Sequence, residues 1–226
     1  IRVQMSKAKL NGARIVKADL TEADISDSDL SDADLTDARL FRTDLSGAKL
    51  KGIYLTSANM IGAHISWADM SVAYLSQGQF SRAELYSTNL SGSDLSDADF
   101  TRAYLMRSNL TGANIDWADM AYADLTEAVL TGASLKSAKM PYSDLTRANF
   151  TGADLSEAYL DGAILAGATL RNAKLDRVNL REVDLRGLEM GGASLKNSVL
   201  TGVFMAMKAQ AGADLRGQTT AQAEMA

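Results

Sequence analysis

From Met5 to Met205 every fifth residue is Leu, Ile, Met or Phe, 41 in succession without a miss. With that apolar centre called i, position i−2 is small: 27 of 41 are Ala, and most others are Ser, Thr, Val or Gly. Position i−1 is most often Asp or Asn, i+1 is mostly Ser or Thr, and i+2 holds 15 of the 17 glycines. An α-helix cannot carry this pattern, because a period of five leaves no continuous stripe at about 3.6 residues per turn, and Gly and Asp at fixed spacing oppose helix. One large and one small inward position in each repeat instead predict an apolar tube with a corner every five residues. Gly at i+2 suits the third position of a type II turn, where φ is positive, and the only proline, Pro141, falls at the second, where Pro is favoured. Repeats of this kind stack as a solenoid.

Charge tells how many corners make one coil. If residue n stacks on n+20, neighbouring side chains should prefer opposite sign, as cross-strand pairs do. Of 22 charged pairs at that separation 17 are opposite and 5 alike, whereas a separation of 15 gives 11 and 9. The first coil shows it best, with Arg2, Lys7, Lys9, Arg14 and Lys17 each one such step before Glu22, Asp27, Asp29, Asp34 and Asp37. A glycine column at one corner (Gly12, Gly52, Gly92, Gly112, Gly132, Gly152) agrees with a four-sided coil.

Ala18-Asp19-Leu20-Thr21-Glu22, Ala98-Asp99-Phe100-Thr101-Arg102 and Ala153-Asp154-Leu155-Ser156-Glu157 read almost as A(D/N)LXX. In this the chain resembles the pentapeptide-repeat family over roughly residues 3 to 205. The resemblance implies an all-β fold, a right-handed quadrilateral parallel β-helix of about ten coils of 20 residues, on the order of 50 Å long at the strand spacing. Handedness comes from the resemblance and not from the period.

Residues 1–205 are expected to form the β-helix, and 206–226 a cap or flexible tail with one isolated repeat at Ala213-Asp214-Leu215. Lys208 and Gln210 break the inward rule there, and larger side chains at i−2 (Val178, Val183, Leu188, Val203) gather just before the break. Outward Phe204 and Met207 make a candidate C-terminal contact, for capping or for a homodimer. The start at Ile1, already in register, suggests a processed or excised segment whose first coil something else caps.

No stretch approaches about 18 consecutive apolar residues, so no membrane-spanning helix is expected. The chain has no Cys, which removes disulfides and thiolate metal sites and leaves a cytoplasmic, lumenal or periplasmic setting open. Asp24, Asp27, Asp29, Asp32, Asp34 and Asp37 belt one coil but point in different directions and cannot converge on one ion. Catalysis would need a groove, and no loop is inserted between residues 5 and 205. The single His64 has no nucleophile arranged around it and is expected on the surface, and the glycines are turn residues rather than a phosphate loop. The uncharged Thr/Asn ladder around Asn109 to Gly112 and Asn149 to Gly152 follows from the repeat itself.

Aromatic placement says more. All seven Tyr and both Trp occupy outward positions, while Phe80, Phe100 and Phe150 fill centres. Phe41, Tyr54, Ile61, Trp67, Val72 and Tyr74 concentrate in the early-middle coils and form the candidate partner patch. The expected function is a non-catalytic protein-interaction or scaffold rod for an unknown protein partner, without cofactor, metal or direct nucleic-acid binding. The alternative, which the resemblance raises, is a DNA-mimicking protein that binds a type II topoisomerase such as gyrase. Its weakness is charge: about 50 Å of duplex displays roughly 30 negative charges, against a net −5 here.

Overall fold

The computed structural model describes residues 3–205 together with Asp214, Arg216, Glu224 and Met225. Among them parallel bridges join residue n to n+20 along the chain, from Gln4↔Asp24 and Lys9↔Asp29 to Asp184↔Phe204 and Ser194↔Asp214. Two short strands, β1 (Phe204–Met205) and β2 (Glu224–Met225), pair in parallel with the same offset, Phe204 opposite Glu224. The coil therefore closes at n+20, as the charge pairing implies. The pairing also runs past Met205, and Ala223-Glu224-Met225 has the repeat's phase, which the break at Lys208 hides from a reading of the sequence. The cap or tail expected over 206–226 lies for the most part outside the described residues.

Most repeats place their backbone N–H groups in the same way. The centre N–H donates to the next coil, as Leu10 to Asp29 O at 2.7 Å, and so does the i+2 N–H, as Lys7 to Ser26 O at 2.9 Å. The i−1 N–H donates to the coil before, as Asp29 to Ala8 O at 2.9 Å. The following i−2 N–H closes the corner on the centre carbonyl, as Ala13 to Leu10 O at 3.0 Å. That leaves only the i+1 N–H, and the Asp or Asn at i−1 takes it: Thr36 N donates to Asp34 Oδ1 at 3.0 Å and Thr111 N to Asn109 Oδ1 at 3.1 Å. The short polar side chain is thus a built-in turn acceptor, which is why these two residue types recur there.

Every corner from Lys7 to Gly202 has positive φ at i+2, and most of these corners are held by a residue other than Gly. Gly is the easy choice at such a corner, yet the coil's ladders hold Trp67, Trp117 and even β-branched Val72 in the left-handed region. Inside, the centres and the side chains at i−2 form one continuous apolar column, with Phe80 stacked on Phe100 at 4.7 Å between centroids. Val178, Val183, Leu188 and Val203 are buried with the rest. At several i−2 positions held by Ser or Thr the hydroxyl turns back on the main chain of the preceding coil, Thr43 Oγ1 donating to Leu20 O and Ser93 Oγ to Met70 O, both at 2.7 Å.

Candidate interaction edge

Side chains outside the tube lie in columns, each residue one coil from its neighbours at n±20. One corner column runs Phe41, Ile61, Ser81, Thr101, Ala121, Pro141, tied by Arg42 N to Ile61 O, Arg82 N to Thr101 O and Tyr122 N to Pro141 O. Its i+2 neighbours are Arg42, Gly62, Arg82, Arg102, Tyr122, Tyr142 and Gly162. Three arginines and two tyrosines thus share one edge of the rod.

The Arg42 guanidinium lies 4.9 Å from the Phe41 ring centre and that of Arg102 5.6 Å from Tyr122, in cation–π contact. Tyr122 stacks on Tyr142 at 5.4 Å and 17°. Tyr142 in turn covers Gly162, where an added Cβ would come within 2.6 Å of the ring. Ile61, Ser81, Arg82, Thr101, Arg102 and Tyr122 line a shallow depression of about 350 Å³ on this edge. A second, of about 220 Å³, follows beside Pro141 and Tyr159.

The structure distributes the sequence-predicted patch over several columns. Phe41 and Ile61 share the edge just described and are half-buried. Tyr54 and Tyr74 stack on another face at 4.6 Å and 6°. Trp67, 65% exposed, meets Tyr86 edge to face at 5.7 Å on a further corner, and Val72 occupies the corner next to that, beside Gly92. The six residues therefore make separate clusters, because positions close in sequence point around the coil rather than along it. The sequence reading passed over Arg82, Arg102, Tyr122 and Tyr142, although each stands at n+20 from the one before, which was the available signal.

The other columns are largely satisfied within themselves. Arg107 donates to Glu127 and to the Tyr86 hydroxyl, each at 2.8 Å, which holds Glu127 below the ordinary carboxylate range. Asp154 takes Lys174 at 3.5 Å and Lys136 at 3.9 Å; burial pushes its pKa up, but hydrogen bonds from Ser156 and the two lysines outweigh it. In the first coils the opposed charges act mostly through space: Asp29 is lowered chiefly by Ser31 and only lastly by Lys49 and Lys9. Exposed His64 meets Glu84 Oε2 through Nδ1 at 2.9 Å. Among the described residues no group of His, Asp and Glu is arranged to hold a metal ion, and no helix is long and apolar enough to cross a membrane. Phe204, 42% exposed, has the Arg186 guanidinium 5.3 Å from its ring centre, while Met207 lies outside the described residues.

Comparison with known proteins agrees with this architecture. The chain matches the family Pentapeptide repeats in eight copies, over residues 1–40, 38–77, 79–115, 108–141, 128–165 and 163–202. It is similar to the crystal structure of HetL, a pentapeptide-repeat protein involved in heterocyst differentiation regulation in the cyanobacterium Nostoc. The two share 31% identity over 90% of each chain, with a TM-score of 0.67. Similarity is weaker to QnrB1, a plasmid-mediated fluoroquinolone resistance protein, at 20% identity over 80% of this chain and 88% of that one, TM-score 0.41. A thylakoid-lumen protein of Arabidopsis thaliana is 25% identical over 50% of this chain and 71% of its own, TM-score 0.25. No curated protein sequence matches significantly.

Proposed function

We propose that this chain, which belongs to the pentapeptide-repeat family of right-handed β-helices, works as a non-catalytic interaction rod of about ten coils that docks a protein partner along the Phe41–Tyr142 edge. The observation that carries the reading is the convergence of aromatic rings, arginines and a shallow depression on that one column. Tyr and Arg are the residues that most often carry binding energy at protein interfaces. A stacked β-helix presents them at fixed spacing, so little side-chain and backbone freedom is lost on binding. Tyr54, Tyr74, Trp67 and Val72 then form secondary contacts on other faces, and the Phe204–Met207 end is the proposed homodimer contact.

Replacing Phe41 by Ser and Tyr122 and Tyr142 by Ala is expected to leave the circular dichroism spectrum intact and to abolish capture of a partner from a lysate of the source cells. Undiminished capture by the triple variant would reject the edge, and a wild-type protein that captures nothing would reject the interaction role. Light scattering checks the dimer, which Phe204→Ser is expected to convert to monomer.

A further inference from the structure

Stacked charges in this rod are of opposite sign in 17 of 22 cases, so the like-charged exceptions mark places where the column rule is set aside. Two of the exceptions are cationic, Lys196 over Arg216 and Arg82 over Arg102. The first pair shares a carboxylate: Asp214 Oδ2 receives Arg216 at 2.7 Å and Lys196 at 3.3 Å. The second has none. Among the described residues the Arg82 guanidinium makes no ion pair, hydrogen bond or ring contact, and that of Arg102 has only the face of Tyr122.

Asp99 and Glu84, each within three residues of one of these arginines in the sequence, are already engaged. Asp99 Oδ2 accepts the Ser81 hydroxyl at 2.6 Å and its Oδ1 the Thr101 N–H at 2.8 Å. Burial pushes Asp99 up, but these hydrogen bonds prevail and keep it ionised. Glu84, on the neighbouring face, is bound to His64. Two guanidinium groups one coil apart therefore stand over a depression whose remaining lining is apolar at Ile61 and the Tyr122 ring and hydroxyl-bearing at Ser81 and Thr101. Their mutual repulsion is relieved by one anion placed between them, as Asp214 relieves Lys196 and Arg216.

The geometry points to a carboxylate subsite: Arg82 and Arg102 clamp one Asp or Glu side chain of a partner segment, and Ile61 and Tyr122 receive an apolar or aromatic residue beside it. Arginine is suited to this, since its planar fork meets a carboxylate with two parallel hydrogen bonds. This rests on the interaction reading above and gives it a ligand chemistry.

The probe is a pair of fluorescein-labelled peptides, Gly-Phe-Glu-Phe-Gly and Gly-Phe-Gln-Phe-Gly, with acetylated and amidated ends, read by anisotropy against the whole chain. The Glu peptide is expected to saturate, the Gln peptide to bind about tenfold more weakly, and Arg82→Gln or Arg102→Gln to cause a loss of about the same size. Arg186→Gln, whose partners are Asp184 and Phe204, is expected to change nothing. Equal binding of the two peptides, indifference to both arginine variants, or complete displacement by millimolar phosphate would overturn the subsite, the last by showing a free-anion site. Partner capture by wild-type protein that ignores the Glu peptide rejects the subsite alone, whereas peptide binding without any captured protein leaves the subsite standing and rejects the interaction role.

Discussion

At the scale of single residues the tube tolerates little. Gly78 stands at i−2, where Ala is the rule, and a Cβ there would lie 2.5 Å from the Phe80 ring and 2.9 Å from Leu75 O. The missing methyl is the space that the stacked Phe80–Phe100 pair occupies. Gly78→Ala is therefore expected to destabilise by about 1–3 kcal/mol through overpacking, and Gly78→Ala with Phe80→Leu to recover most of it. Thermal unfolding of the two variants checks this, and an additive double variant would dissociate the two positions. Buried hydroxyls give a second contrast. Ser93 donates to Met70 O and accepts from Ala73 N, while Ser108 Oγ is buried without a partner. Ser93→Ala should cost about 1 kcal/mol and Ser108→Ala should be neutral or stabilising, since an unmet buried hydroxyl carries its full desolvation penalty. Equal losses in urea unfolding would refute the distinction.

At the scale of the repeat, the turn was readable from composition and its electrostatics only in part. Gly at i+2 announced positive φ, and the structure extends that conformation to every corner from Lys7 to Gly202, including those held by Val, Trp and Tyr. No sequence signal marks these non-glycine corners, because the neighbouring coils impose their backbone. Val72→Asn should therefore raise the melting temperature: Asn tolerates the left-handed region better than a β-branched residue does, and an unchanged or lower value would mean that Val72 packing against Gly92 dominates. Asp at i−1 was legible as a backbone acceptor, and its titration follows from that. Asp34 is held below its ordinary value chiefly by Thr36, and Asp29 by Ser31. A carboxylate lowered in the folded state adds stability at pH above its unfolded value, near 4, and loses it as pH falls through the folded value. The rod should thus weaken progressively on acidification below about pH 4. Asn59, Asn89 and Asn109 make the same bond without a titrating charge. Asp29→Asn with Asp34→Asn should flatten the melting-temperature profile between about pH 2 and 5 relative to wild type, and a profile unchanged in slope would show that the turn carboxylates do not drive acid unfolding.

At the scale of the whole molecule, the fold was legible almost completely and the candidate edge scarcely at all, for one reason. A period shared by every repeat survives any local irregularity, so 41 centres and a charge correlation at n+20 fix the coil. A binding surface is made of positions that the period leaves free, and these must be laid out on the coil before Phe41, Arg82, Arg102 and Tyr122 are seen as neighbours. The same layout bears on the DNA-mimic alternative. A mimic needs carboxylates that repeat along the axis and remain unneutralised, as phosphates do. Here Asp154 lies between Lys136 and Lys174, Glu127 between Arg107 and Arg147, and the middle of one edge is cationic through Arg42, Arg82 and Arg102. Field lines from such pairs close within the rod's own surface, and at physiological salt they are screened over about 8 Å. A nucleic-acid-binding groove would meet alternating sign where it expects a continuous anion. The chain is accordingly expected to leave gyrase supercoiling unaffected at micromolar protein. Inhibition at that level, persisting in the Arg82→Gln/Arg102→Gln variant, would show that the acidic columns alone carry recognition despite their paired cations.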